Sequence, residues 1–185
     1  MSTRFVKKDN VVLVGVAKNG SQAIKQISLQ NDGFEVREQQ GDWNKDNFID
    51  WDDSNLLILF PIRHWHDKAY SEMLEVAAGG KELGKTFRPR LNYFENDVMV
   101  YFIENILLNE NWNGAQVRFF DLKHLSTTLP KYLGWDFEIP IYNTADSNKK
   151  KRALTEKLKG TSMVVPVINN IFFKAIRKSK YWIEL

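Results

Sequence analysis

Between Val11 and Ile24 the chain reads VVLVGVAKNGSQAI: an apolar run, a turn bounded by Gly15 and Gly20, and then apolar residues at helical spacing. A strand feeding a tight turn and a helix fixes much of what can follow. It predicts a layered α/β fold, and it leaves unpaired backbone N–H groups at the turn, where the helix dipole adds partial positive charge. A phosphate-like anion satisfies both. The spacing Gly15-x4-Gly20 matches the first half of a P-loop. Ser21, however, stands where the ATP and GTP enzymes place their Lys, and Lys18 lies inside the turn. This is therefore not a Walker A motif, and an ordinary strand-turn-helix connection is the alternative reading.

Further short apolar runs at Gly33 to Glu38, Leu56 to Ile62 and Gln116 to Phe120 read as strands. Helical spacing recurs at Ala23, Ile24 and Ile27, at Ala69, Met73 and Ala77, at Val98, Phe102 and Ile106, and at Ile168, Ile171, Phe172 and Ala175, most of these being core positions. The alternation predicts an α/β fold of the P-loop type: a mainly parallel central sheet with helices on both faces and ligands at the carboxyl ends of strands. Pro61 lacks an N–H, so the third strand is expected to end there. Lys18 and Arg63 both fall at such strand ends.

The 185 residues suit one domain spanning 1–185, and no internal repeat or linker is visible. The polar N-terminus, MSTRFVKKDN, carries no signal peptide, and no apolar run is long enough to span a bilayer, which predicts a soluble, cytoplasmic protein without membrane contact. Cys is absent and the three His residues are scattered, so thiolate chemistry and Cys-ligated zinc are excluded and no metal is expected. Net charge is only +3, but Lys149 to Arg152 and Lys174 to Lys180 bias the C-terminal third towards positive, through either an anionic ligand or a solvated helix face. Nucleic acid is not indicated by any recognised module.

After the third strand comes IRHWHDKAYSEM, with Arg63 at the strand terminus and Ser71 in the following helix. A guanidinium fork and a hydroxyl from a fixed helix suit a second phosphate; pairing of Arg63 with Asp67 or Glu72 is the structural alternative. Together the two segments resemble the sulfotransferase family that uses 3′-phosphoadenosine 5′-phosphosulfate (PAPS). Ala17 to Ala23 is similar to its 5′-phosphosulfate loop, Lys-x-Gly-Thr-Thr, with Ser21 and Gln22 in place of the threonines. Arg63 and Ser71 fall on the Arg and Ser of its 3′-phosphate motif, R-x-P-x-x-R-x-x-S, with Trp65 for the Pro and Lys68 for the second Arg. The stretch VRFFDLKHLSTTLPKYLGWDF is loosely similar to the late strand and helix end of these enzymes.

The resemblance implies PAPS as donor, no metal, and transfer of a sulfuryl group to a hydroxyl or amine of a carbohydrate, lipid, small molecule or protein. It implies that Lys18, Asn19, Gly20, Ser21 and Gln22 hold the 5′-phosphosulfate, with Lys18 also catalytic, and that Arg63 and Ser71 hold the 3′-phosphate. The general base is expected between the two motifs: Glu38 is the choice, with Glu35, Asp42 and Asp46 as alternatives. His64 and His66 receive no catalytic role. Trp43, Trp51 and Trp65 are candidates to stack on adenine, and Asn143 to Ser147 with the KKKR run is a candidate closing loop. Two alternatives stand beside this reading. One is a non-catalytic nucleotide- or RNA-binding protein of the same fold. The other is a P-loop kinase, which would want a Lys directly after Gly20.

Overall fold

A computed structural model describes residues 3–16, 18–39, 48–90, 94, 96–140, 155–156 and 158–185. Five strands form one sheet: β1 (Thr3–Lys8), β2 (Val11–Gly15), β3 (Glu35–Gln39), β4 (Leu57–Ile62) and β6 (Gln116–Asp121), in the spatial order β3-β1-β2-β4-β6. A parallel pair, β5 (Thr86–Phe87) and β7 (Ser162–Met163), stands apart. The helices are α1 (Ser21–Gln30), α2 (Trp65–Ala78), α3 (Asp97–Tyr101) continued by a π-helical stretch over Phe102–Leu107, α4 (Thr128–Tyr132) and α5 (Val167–Lys178).

The expectation of a mainly parallel sheet is corrected. β2 to β4 and β4 to β6 are parallel, but β1 runs antiparallel to both of its neighbours, so the sheet is mixed. The cause is β1, which the alternation of strands and helices does not announce. Its sequence, TRFVKK, holds only two large apolar residues, Phe5 and Val6, and both are buried; they face opposite sides of the sheet and enter different cores. β1 joins β2 through a two-residue turn at Asp9 and Asn10, with Asp9 left-handed at φ 52°.

Side-chain alternation divides the core in two, as a period of two requires. Leu13, Leu59 and Phe120 face α1 and α4 through Ala23, Ile24, Ile27 and Leu129. Val12, Val14, Ile58, Phe60, Val117 and Phe119 face α3 and α5 through Val98, Met99, Phe102, Phe172, Phe173 and Ile176. Helices thus cover both faces, as expected. Within the second core Phe60 stacks on Phe119 at 4.9 Å, and Phe102 meets Phe119 edge-on at 4.8 Å. The Tyr181 hydroxyl donates to the Ile106 carbonyl at 3.2 Å, inside the π-helical stretch.

Strand β4 continues through Pro61 to Ile62, where it was expected to end. The Leu57 N–H donates to the Asn10 carbonyl, so in β4 residues 57, 59 and 61 turn their N–H side towards β2. The last pair with β2 is Leu13 with Leu59, and beyond it no ladder is left for Pro61 to interrupt. Pairing with β6 runs on undisturbed through Pro61 with Phe120 and Ile62 with Asp121.

α5 also departs from expectation. Phe172 is buried, but Ile168 and Ile171 are 47% and 57% exposed, and Ala175 is exposed too. The face that reaches the core is Asn169, Phe172, Phe173 and Ile176. The aromatics, with the larger apolar area, win the inward positions.

Candidate functional site

β2 delivers the chain to the carboxyl rim of the sheet, where the turn is forced by close packing. A Cβ on Gly15 would lie 2.9 Å from the Ser21 Cα, so α1 approaches the strand more closely than any side chain at position 15 allows. The chain then turns through left-handed conformations at Lys18 (φ 64°) and Gly20 (φ 79°). Only Gly takes that region without cost, so Lys18 stores strain. Gly20 is the residue before α1, and no side chain caps the helix. The first-turn N–H groups of Ser21, Gln22 and Ala23 therefore have no partner inside the helix. The other side of Gly20 is closed: a Cβ there would lie 2.7 Å from Leu122 Cδ1 and 2.8 Å from Leu125 Cδ2.

Asn19 is fully buried, and its Oδ1 accepts a hydrogen bond from the Arg63 backbone N–H at 3.1 Å. This bond ties the turn after β2 to the residue after β4. Its Nδ2 is buried and has no acceptor among the described residues. A buried donor without a partner costs about 1–3 kcal/mol, and such a group in a native fold calls for a reason. Within the turn the Asn19 N–H donates to the Val16 carbonyl at 3.0 Å.

Arg63 is half-buried, and His64 beyond it is the N-cap of α2, its Nδ1 accepting from the His66 N–H at 3.3 Å. α2 then passes the loop: Lys18 Nζ forms an ion pair with Glu75. The Lys18 side chain is 19% exposed and that of Glu75 is 65% exposed. Ser71 stands one turn before Glu75 and so on the same side of the helix. The structure thus gathers Lys18, Asn19, Gly20, Ser21, Gln22, Arg63 and the Ser71 face of α2 at one rim. On the inward face of α2, Lys68 and Glu72 are buried, and Glu72 Oε1 accepts from the Arg90 N–H at 2.8 Å.

Glu38 sits at the same rim, on the outer strand. Arg4 pairs in register with Gly15 on one side and Glu38 on the other, which puts Glu38 two strands, about 10 Å, from Gly15. Its Oε1 meets Arg4 at 3.1 Å and its Oε2 meets Lys25 of α1 at 3.9 Å. Both carboxylate oxygens face cations. Arg4 Nε, by contrast, is buried without an acceptor among the described residues. Glu35 is exposed at the start of the same strand, while Asp42, Asp46, Trp43 and the segment from Asn143 to Arg152 lie outside the described residues.

Of the two described aromatic candidates for adenine, one is at the wrong end of the sheet. The Trp51 carbonyl accepts from the Ala115 N–H where β6 begins, and its ring packs on Tyr101 at 5.0 Å. β4 is six residues long, so about 17 Å separates that end from Arg63. Trp65 opens α2 two residues after Arg63 and is half-buried at the correct rim.

Two contributions were not read from the sequence. Asn19 was expected to act through its backbone, and its side-chain clasp on Arg63 depends on a contact 44 residues away. Glu75 was not singled out, though its place four residues after Ser71 on a predicted helix carried the signal. Among the described residues, no group of His, Asp and Glu is arranged to hold a metal ion. Comparison with protein-family models, with curated proteins and with solved structures finds no match to this chain.

Proposed function

We propose that this protein binds a phosphorylated nucleotide at the rim formed by the β2–α1 turn and the start of α2, and that it transfers a sulfuryl group from PAPS. The observation that carries the reading is the Asn19 to Arg63 hydrogen bond, which joins two segments distant in sequence at one rim. Open N–H groups at α1, the buried Asn19 amide and two cations are the donor set a dianionic ligand requires.

In this reaction the acceptor oxygen or nitrogen attacks sulfur as the bond to the bridging phosphate oxygen breaks. Adenosine 3′,5′-bisphosphate leaves, and the acceptor proton passes to a base. Such in-line transfer of a compact anion depends on positioning and electrostatics, with no covalent enzyme intermediate. Lys18 follows the charge that develops on the bridging oxygen, after exchanging Glu75 for the ligand. Arg63 and Ser71 select the 3′-phosphate. For the base, Glu38 must release Arg4 or Lys25 before it can accept a proton.

Those ion pairs favour a second reading, a nucleotide- or RNA-binding protein that keeps the rim without transfer chemistry. Calorimetry with adenosine 3′,5′-bisphosphate tests the site: the wild type should bind it, and Arg63→Ala should lose about tenfold or more in affinity. Equal affinities would remove the nucleotide assignment. Transfer of labelled sulfate from PAPS to an acceptor panel, lost by about 10²–10³ in Lys18→Ala, separates the enzyme from the binder.

A further inference from the structure

From Lys157 to Ile183 the sequence holds Lys157, Lys159, Lys174, Arg177, Lys178 and Lys180 and no Asp or Glu. α5 lies within this stretch, and its outward side is not the polar surface that a helix packed on a core usually presents. Val167 is 72% exposed, Ile168 47% and Ile171 57%, and Val164 just before the helix is 51% exposed. Lys174, Ala175 and Lys178 continue the same exposed line. At 3.6 residues per turn the six helical positions fall within an arc of about 120°. The buried positions Asn169, Phe172, Phe173 and Ile176 occupy the opposite arc.

We infer that this ridge is a docking surface for an anionic lipid bilayer, with the aliphatic half entering the headgroup boundary and the lysines meeting lipid phosphates and carboxylates. Side chains about half exposed or more along a helix form a raised strip, which a lipid surface accommodates and a protein partner would have to match with a groove. The strip has no outward aromatic or arginine anchor of the kind that dominates protein interfaces. Arg177 is turned aside, 3.6 Å from Glu184 and 5.3 Å from the Trp182 ring centroid. A second copy of the chain would bring an acid-free cationic helix against another. Lysine stems can lie along apolar surface with the ammonium in the polar layer, and each cation so placed strengthens attachment about fivefold. Such a helix lies on a membrane and does not cross it, so the proposal departs from the expectation of no membrane contact; no described helix is long and apolar enough to span one.

The proposal is independent of the nucleotide reading. Cosedimentation with phosphatidylcholine vesicles, with and without phosphatidylserine, tests it on the full chain. Binding is expected only with phosphatidylserine, weakening as salt is raised. Lys174→Glu with Lys178→Glu should reduce it more than tenfold, and Ile171→Asp should abolish it, both with an unchanged circular dichroism spectrum. The inference falls if neither vesicle binds, if both bind equally, or if the ridge variants bind like wild type. It also falls if ultracentrifugation shows a dimer that Ile171→Asp dissolves without any vesicle binding.

Discussion

Two polar clusters share the carboxyl rim of the sheet and are built on different principles. In the first, Arg4, Glu38 and Lys25 meet across β1, β3 and α1, on regular backbone, as opposite charges in register. In the second, Lys18, Asn19, Arg63 and Glu75 meet across a turn with two left-handed residues, and a buried amide there has no acceptor among the described residues. The first cluster fastens an edge strand to its neighbour and to a helix. Each holds a buried donor without an acceptor among the described residues, Arg4 Nε in the first and Asn19 Nδ2 in the second, but only the second sits on strained backbone at a strand end. The carboxylate the sequence favoured as a base belongs to the first cluster, and the strained Lys18 and the buried Asn19 belong to the second.

The comparison breaks most completely at Gly15, which lies between the clusters. Gly15→Ala puts a Cβ against the Ser21 backbone, which cannot yield as a side chain would, and pushes out the helix that carries Lys25 and follows the β2–α1 turn. A loss of about 2–3 kcal/mol in urea unfolding is expected, and bisphosphate binding should fail with it. Asn19→Ala comes next. It leaves the Arg63 N–H without its acceptor, for about 1–2 kcal/mol of stability, and it should lower bisphosphate affinity by more than that loss of folded protein explains.

Glu38→Gln sharpens the contrast from the other side. With Arg4 and Lys25 as its whole role, the variant should lose up to about 1 kcal/mol and retain nucleotide affinity and transfer; an unchanged fold with abolished transfer would assign Glu38 as the base. The smallest effect belongs to neither cluster. Burial first, and the Asp52 charge second, hold the Tyr101 phenol above its ordinary value of 10.0. The folded chain then keeps a proton that the unfolded chain releases, so stability falls as pH rises above about 10, and unfolding curves of Tyr101→Phe should show less of that fall.

Much of the fold was legible because burial imposes period. The runs at Val11 to Val16, Leu56 to Ile62 and Gln116 to Phe120 are strands within a residue or so of the expected limits, and α1 and α2 carry the expected apolar faces. β1 was not, because Phe5 and Val6 are flanked by Arg4, Lys7 and Lys8, and a basic segment reads as a tail until a sheet edge gives it a partner. Lys8, for instance, lies over the Phe34 ring at 5.0 Å. On α5 the spacing identified a helix but not its inward side, since apolar residues occupy both arcs and only partners outside the helix, Phe94 for Phe172 and His64 and Trp182 for Phe173, select the buried one.

By itself the sequence determined a strand, turn and helix with glycines where close approach and positive φ demand them, because those limits are local and steric. It also placed Arg63 at a strand end and concentrated cations without acids near the C-terminus. Tertiary structure alone decided that Asn19 would grip Arg63, that Glu75 would hold Lys18, that Glu38 would meet Arg4 and Lys25, and that Ile168 and Ile171 would be left outside. Each of these depends on which distant segment comes within a few ångströms, and periodicity along a chain carries no record of that distance.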